Sequence, residues 1–204
     1  SYLGVLLCQQ HPRHIAAYVG IGQLADGAEN ERISYDFVWN EANKRGDKKA
    51  IADLKRIGAP KRGFYKSLDD LTVQRNYMTK YGGAAHGESE SIFRSMVLPV
   101  LRSPEYTLFD LAKYARGAYY NLRELWKPVI GCSFIESVRS LDVPVFITQG
   151  RHDRNTPPEL AKKWFDALDA PKKEWIWFEN SAHSPIREET ALWNETIREK
   201  VLPK

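Results

Sequence analysis

Three short apolar runs are spaced along the chain in the manner of strands in a parallel sheet. They occupy residues 15–21 (IAAYVGI), 143–148 (VPVFIT) and 174–178 (EWIWF). Helical patterns stand before, between and after the last two runs, at residues 2–11, 158–168 and 186–201. Strands that are separated by helices favour βαβ units. The pattern therefore predicts an α/β fold with three parallel strands and flanking helices.

The long interval between the first two runs carries helix signals and no convincing strand. Asp47, Ser67 and Thr107 each precede a helix-spaced apolar stretch, which is the position of an N-cap. We interpret this interval as a helical insertion into the α/β core. The predicted boundaries are residues 1–24 and 135–204 for the core and residues 25–134 for the insertion.

Aromatic residues are concentrated in the insertion. We expect most of them in its core and some of them along a pocket beneath the helices. They include Tyr35, Phe37, Trp39, Tyr77, Tyr81, Phe93, Tyr114, Tyr119 and Tyr120. On the helix that follows Thr107, one apolar stripe is formed by Leu111, Ala115, Tyr119, Leu122 and Trp126.

The charge of the chain admits a nucleic-acid ligand, because the net charge is +4 and the pI is near 9.0. The densest basic stretch, residues 44–62, has a simpler explanation. Ala50, Ile51, Leu54 and Ile57 recur at helical spacing, which leaves the basic side chains on the outer face of a helix. We therefore expect a solvated helix face and no nucleic-acid partner.

Several further classes are not supported by the sequence. No run of eighteen apolar residues and no signal-peptide pattern is present, so we expect a cytoplasmic protein without a membrane partner. Cys8 and Cys132 fit neither a disulfide framework nor the spacing of metal ligands, and we expect inert thiols. Without a clustered ligand set or a glycine-rich phosphate loop, we expect no metal and no cofactor.

Two polar residues follow neighbouring strands closely enough to form one site. Asp153 lies three residues beyond Gly150, where the second strand ends, and His183 lies a few residues beyond the third strand. The carboxyl ends of parallel strands meet at one edge of the sheet, where ligands and catalytic groups gather. Adjacent strands are about 4.8 Å apart, so the two loops can bring the carboxylate to the imidazole. An acid that orients a histidine base is the logic of a catalytic triad.

Each residue taken singly also has a structural interpretation, as a turn residue or a solvated loop residue. The pair is more specific, because thirty residues separate its members and this is the length of one βαβ step. His152 is a rival base, but its position next to Asp153 directs it elsewhere. The remaining histidines stand in turn or insertion contexts and are expected to be structural or exposed; they are His11, His14 and His86.

The segments GRHDRNTP and ENSAHSP, with a helical insertion before the first, resemble the C-terminal half of a capped α/β-hydrolase, closest to the proline iminopeptidase-like peptidases. The opening YLGVLLCQQHPRHIAAYVGIG is similar to the helix and strand that follow the nucleophile elbow of that family. The likeness covers both ends of the chain. Over the insertion, which would be the cap, it is architectural only.

The resemblance implies a chain order of nucleophile, acid and base, which maps the acid onto Asp153 and the base onto His183. No G-x-S-x-G motif occurs in the 204 residues, so the nucleophile is expected upstream of residue 1. Ser1 is interpreted as a first-turn helix residue. The chain alone is then expected to be inactive and to pair with the N-terminal part of the same protein or with another copy.

If the likeness extends to substrate, the function is that of a serine aminopeptidase that cleaves after an N-terminal residue, often proline, through an acyl-enzyme. A carboxylate of the cap would receive the free amine, and four are available: Glu88, Glu90, Glu105 and Glu136. The same acid and base serve esterases, lactonases and carbon–carbon bond hydrolases, and some relatives use an aspartate nucleophile. A non-catalytic binding or scaffold protein of this fold is a further alternative.

Overall fold

The centre of the molecule is a parallel sheet of three strands in the order β1–β2–β3. A computed structural model describes residues 1–86 and 98–202. The strands are β1 (Tyr18–Ile21), β2 (Val145–Gly150) and β3 (Lys173–Phe178). Tyr18 is opposite Val145 and Gly150 is opposite Phe178. The predicted fold class, three parallel strands with flanking helices, is confirmed.

Helices surround this sheet and fill the interval between β1 and β2. In the first half they are α1 (Tyr2–Gln10), a 3-10 turn (Pro12–His14), α2 (Gly27–Lys44), α3 (Lys48–Ile57) and α4 (Leu68–Lys80). In the second half they are α5 (Leu98–Arg102), α6 (Leu108–Ile130), α7 (Phe134–Ser137), α8 (Pro158–Ala167), α9 (Pro185–Glu188), α10 (Thr190–Thr196) and a π-helical turn (Ile197–Val201).

The main hydrophobic core lies between the sheet and the helices α1 and α8. All six residues of β2 are buried, because the strand has a neighbour on each side and helices over it. Val5 of α1 and Trp164 of α8 belong to the same cluster as Val145 and Ile147 of β2. Each such side chain contributes about 1.5–3 kcal/mol when fully buried. This packing fixes the carboxyl ends of β2 and β3 relative to each other.

A second cluster holds α2, α3 and α4 together. It contains Val38, Leu54 and Met78, which are 0–2% exposed. The three predicted caps are present, since Asp47, Ser67 and Thr107 each accept a hydrogen bond from a backbone N–H of the first helical turn. The helical insertion therefore has a core of its own beside the sheet.

The structure departs from the predicted elements in three places. The first strand begins at Tyr18 and not at residue 15, because the 3-10 turn at Pro12–His14 delays entry into the sheet. The helix predicted over residues 186–201 is interrupted at Glu189, whose φ of −127° and ψ of 51° are not helical. Helix α2, capped by Asp26, was not among the predicted helices.

The expectation that most aromatic residues of the insertion are buried fails on α6. Tyr114, Tyr119 and Tyr120 are 58%, 60% and 57% exposed, whereas Tyr35 and Tyr81 of the second cluster are buried. Of the predicted stripe on α6, Tyr119 is exposed, whereas Leu111, Leu122 and Trp126 are half-buried. Phe93 lies outside the described residues, as does the side chain of Ala115.

Candidate active site

Asp153 is held in a single orientation just beyond the end of β2. Its side chain is fully buried. Oδ1 accepts hydrogen bonds from the backbone N–H groups of Asn155 and Thr156, both at 2.8 Å. Oδ2 accepts from Gln149 Nε2 at 3.0 Å and from Thr156 Oγ1 at 2.7 Å. Four donors therefore hold the buried carboxylate of Asp153 in an orientation that faces the loop after β3.

His183 meets that carboxylate from the loop after β3. Its Nδ1 lies 3.0 Å from Asp153 Oδ2, and Thr156 Oγ1 lies 3.2 Å from the same nitrogen. A proton on Nδ1 that faces Asp153 leaves the lone pair on Nε2, the nitrogen that a general base uses. The side chain of His183 is 32% exposed, so the imidazole can be reached from outside.

Opposing effects act on the pKa of the His183 imidazole. Burial by itself lowers this pKa, but the charge of Asp153 and the hydrogen bond to it raise the pKa, with help from Glu188 and against the effect of Arg75. The net result is a pKa above the ordinary value of about 6.5. The protonated imidazole is therefore stabilised, which suits a group that must accept a proton during a reaction.

Two glycines allow the loops to approach this closely. A Cβ on Gly150 would lie 1.9 Å from the carbonyl oxygen of Ala182, so only glycine permits β2 to end against the His183 loop. Gly22, just beyond β1, has a φ of +54°, and a Cβ there would lie 2.7 Å from His183 Nδ1. All three strand ends thus contribute to one site.

A cavity of about 300 Å³ opens beside His183. Its walls come from both the sheet edge and the helical insertion, and they include Asn155 and Thr156 with Glu31, Arg75 and Trp126. The guanidinium carbon of Arg75 lies 5.8 Å from the centre of the Trp126 ring. The imidazole therefore faces a space that is large enough for part of a small substrate.

Glu31 is a buried carboxylate in the wall of this cavity. Its Oε1 accepts hydrogen bonds from Arg75 Nη2 and, at 3.5 Å, from Asn30 Nδ2. Its Oε2 is also buried but has no hydrogen-bond partner among the described residues. A buried carboxylate oxygen without a donor is costly, which distinguishes Glu31 from the other residues of the cavity wall.

Neither of the two proposed carboxylates that the structure describes reaches this cavity. Glu105 and Glu136 are exposed on the surface and are not among the residues that line it. Glu88 and Glu90 lie outside the described residues. Glu31 was missed because its helix, α2, is rich in polar residues and gives no sign that one of them is buried.

His152 does not join the site in spite of its position next to Asp153. Its ring stacks on that of His86 with the ring centres 3.8 Å apart and an angle of 7° between the planes. Both rings line a different cleft, of about 440 Å³. His11 and His14 are exposed. The structure therefore brings His183, and no other histidine of the described part, to Asp153.

Within residues 1–86 and 98–202, no group of three or more His, Cys, Asp or Glu side chains is arranged to hold a metal ion. In the same ranges, no helix has both the length and the apolar character needed to cross a bilayer. The cavity walls and the hydrogen-bonded pair are thus the chemically distinctive features of this part of the chain.

No protein-family model matches the chain. It is 28% identical over 198 residues to "Probable aminopeptidase YbaC" of Bacillus subtilis (strain 168), a match that covers 97% of this chain and 61% of that protein. The structure is similar to that of VinJ, with a TM-score of 0.53, 16% identity, and coverage of 97% of this chain and 60% of VinJ. It is equally similar to the proline iminopeptidase of Mycobacterium smegmatis, with a TM-score of 0.53, 14% identity, and coverage of 96% and 60%.

These comparisons agree with one another and with the geometry. The chain has the three strands and flanking helices of an α/β-hydrolase fold, as its sequence predicted, and a proline iminopeptidase is among the proteins that it resembles. It spans about 60% of the length of the proteins that it matches.

Proposed function

We propose that this chain belongs to a serine hydrolase of the aminopeptidase type, in which Asp153 and His183 are the acid and the base of a catalytic triad. The observation that carries the proposal is the contact of 3.0 Å between His183 Nδ1 and a fully buried Asp153 carboxylate at the carboxyl edge of a parallel sheet. Such a pair activates a nucleophile. The accessible cavity beside the imidazole supports a catalytic role over a purely structural one.

In the proposed mechanism, His183 Nε2 removes the proton from a serine hydroxyl as that oxygen attacks an acyl carbon. The imidazolium then returns the proton to the leaving amine, which leaves an acyl-enzyme that water hydrolyses by the same steps. Asp153 holds the tautomer and stabilises the positive charge. We place the serine in a segment N-terminal to residue 1, which is consistent with the greater length of the related proteins.

We further propose that residues 25–134 act as a cap over this site. Helices α2 and α6 support this idea, because Glu31 and Trp126 form part of the wall of the cavity that His183 also lines. A cap of this kind excludes water and supplies contacts to the part of the substrate that does not react. The core on either side of it would be residues 1–24 and 135–204.

The aminopeptidase assignment is supported by the name of the Bacillus subtilis relative and by the chemistry of Glu31. An aminopeptidase must bind the ammonium group of its substrate close to the scissile bond. Oε2 of Glu31 is buried in this structure, and we propose that a small rotation of the side chain turns it toward the cavity to accept a hydrogen bond from this group, while Oε1 remains paired with Arg75. A buried, charge-assisted bond of this type is stronger than a neutral one.

The triad is tested on the full-length protein that contains this chain. We expect a fluorophosphonate probe to label one serine, and we expect Asp153→Asn and His183→Ala to abolish or greatly slow labelling. Labelling that is equally fast in both variants would contradict the assignment of acid and base. Failure of the wild-type protein to react would count against a serine nucleophile.

The substrate class is tested separately with paired substrates. We expect hydrolysis of an amino-acyl amide with a free amine and little hydrolysis of its N-acetylated form. Glu31→Gln should raise KM for the free amine about tenfold to hundredfold. Glu29→Gln is a matched control, because Glu29 is on the same helix but pairs with Arg32 in solvent. Faster hydrolysis of uncharged esters or lactones, with no effect of Glu31→Gln, would favour the esterase alternative.

A further inference from the structure

We propose that Glu188 is a positioning residue for His183. Its carboxylate connects the loop that carries His183 to residues 82–86, the loop that follows α4 in the helical insertion. This inference rests on the proposed role of His183 as a base. It concerns a residue that does not line the cavity beside His183 and that acts through the backbone around the imidazole.

Both oxygens of Glu188 are occupied by backbone donors. Oε1 accepts from the N–H of Ser184 at 2.9 Å, and Oε2 accepts from the N–H of Ala182 at 2.9 Å. Ala182 and Ser184 are the two neighbours of His183 in the chain. The carboxylate therefore spans the residue that carries the imidazole and fixes the backbone on either side of it.

The third donor comes from the helical insertion. The N–H of His86 donates to Oε2 of Glu188 at 2.7 Å. The loop of residues 82–86 makes two further contacts to the site: the N–H of His183 donates to the carbonyl oxygen of Ala84 at 3.3 Å, and the N–H of Arg154 donates to that of Gly83 at 2.9 Å. One short loop of the insertion thus touches the backbone of both the acid and the base loops.

A carboxylate suits this position better than an amide would. Three N–H groups converge on two acceptor oxygens, so each oxygen must accept. In Glu188→Gln, one oxygen becomes an NH₂ group that faces N–H donors, and at least one backbone bond is lost. Backbone amides that bind a charged carboxylate form bonds that are stronger than neutral ones. The substitution therefore loosens the His183 backbone without a large change in side-chain shape.

Glu188 also acts on His183 through its charge. The groups that act electrostatically on the imidazole are Asp153, Glu188 and Arg75, and the two carboxylates raise its pKa while the guanidinium lowers it. Loss of the Glu188 charge should lower the pKa of His183. A residue that merely filled space would leave this pKa unchanged.

The test is a pH titration of the His183 imidazole by ¹⁵N NMR in the full-length protein. For Glu188→Gln we expect the protonation constant of His183 to fall about threefold to tenfold. We also expect faster hydrogen exchange of the Ala182 and Ser184 amides. The matched control is Glu189→Gln. Glu189 accepts hydrogen bonds in the same loop, from the Asn180 N–H at 3.1 Å and from Ser181 Oγ at 2.6 Å, but not from the amides that flank His183.

Glu188→Asp provides a second variant that keeps the charge but shortens the side chain. This variant should preserve the raised pKa of His183, whereas the amides of Ala182 and Ser184 should exchange faster than in the wild type. The proposal is overturned if Glu188→Gln titrates and exchanges like the wild type, or if Glu189→Gln produces the same change. Because neither measurement needs turnover, these outcomes are distinct from a failure of the proposed function. In an active enzyme, kcat should fall more than KM rises.

Discussion

The imidazole of His183 and the carboxylate of Asp153 are in contact at 3.0 Å, although thirty residues separate them in the chain. The contact is made because β2 and β3 are neighbouring parallel strands whose ends lie at one edge. Thr156 Oγ1 joins both groups, at 2.7 Å from the carboxylate and 3.2 Å from the imidazole. The pair is thus part of a closed hydrogen-bond network and not an isolated encounter.

Asp153→Asn should reduce kcat by about 10³- to 10⁴-fold with little change in KM. The amide can donate to Nδ1 and so favours the tautomer that carries its proton on Nε2, which cannot act as a base. Steady-state kinetics of the full-length protein measure the effect, and circular dichroism checks that the variant is folded. A loss of less than about tenfold would mean that Asp153 does not control the tautomer.

The activity should depend on pH with a midpoint above about 6.5, because the base must be neutral and the pKa of His183 is raised. We expect kcat/KM to rise with pH through this pKa. The midpoint should move to lower pH when the charge of Asp153 is removed, to the extent that activity remains measurable. A midpoint below 6 in the wild type would contradict the dominance of the Asp153 charge over burial in setting the pKa of His183.

The same pKa shift has a consequence for folding. A histidine whose pKa is raised in the folded state adds stability that is fully present below its unfolded pKa and is lost as pH rises through the folded value. The contribution of the pair should therefore be largest below about pH 6.5 and should decline above it. Urea unfolding of the wild type and of His183→Ala at several pH values measures this difference.

Gly22→Ala should impair both folding and activity. The substitution places a Cβ at a φ of +54° and 2.7 Å from His183 Nδ1. Gly46→Ala separates the two effects, because Gly46 has a φ of +62° and no atom within 4 Å of an added Cβ. Backbone strain of about 1–2 kcal/mol is expected in both variants. Only Gly22→Ala should also displace the imidazole and reduce kcat, by at least tenfold.

The chain should associate through the free edge of β1. This strand pairs with β2 on one side, and its other edge has no strand partner within the described parts of the chain. Unpaired edges recruit other strands. We expect the 204-residue chain to form dimers or larger species by light scattering, or to bind an N-terminal segment of the same protein when both are produced together. A stable monomer of 23.4 kDa in both experiments would oppose this expectation.

The main elements of the site were predictable from the sequence because they depend on local patterns. Apolar runs marked β2 and β3, Gly150 marked the end of β2, and parallel pairing carries residues beyond the strand ends to a common edge. The sequence alone therefore predicts that Asp153 lies near His183. The caps of α3, α4 and α6 were likewise predictable, since an N-cap bonds to a backbone N–H three residues away.

The partners of those residues depended on the packing of distant segments. Glu31, Gly22 and Glu188 contribute to the site through contacts with Arg75, His183 and His86, and no periodicity in the chain reports which residues become neighbours in space. The same reason explains why Tyr114, Tyr119 and Tyr120 of α6 are exposed, since the sequence pattern predicts the helix but not which side chains other elements cover. Local sequence patterns therefore decided the elements and their ends, and tertiary packing decided which buried charges face the imidazole.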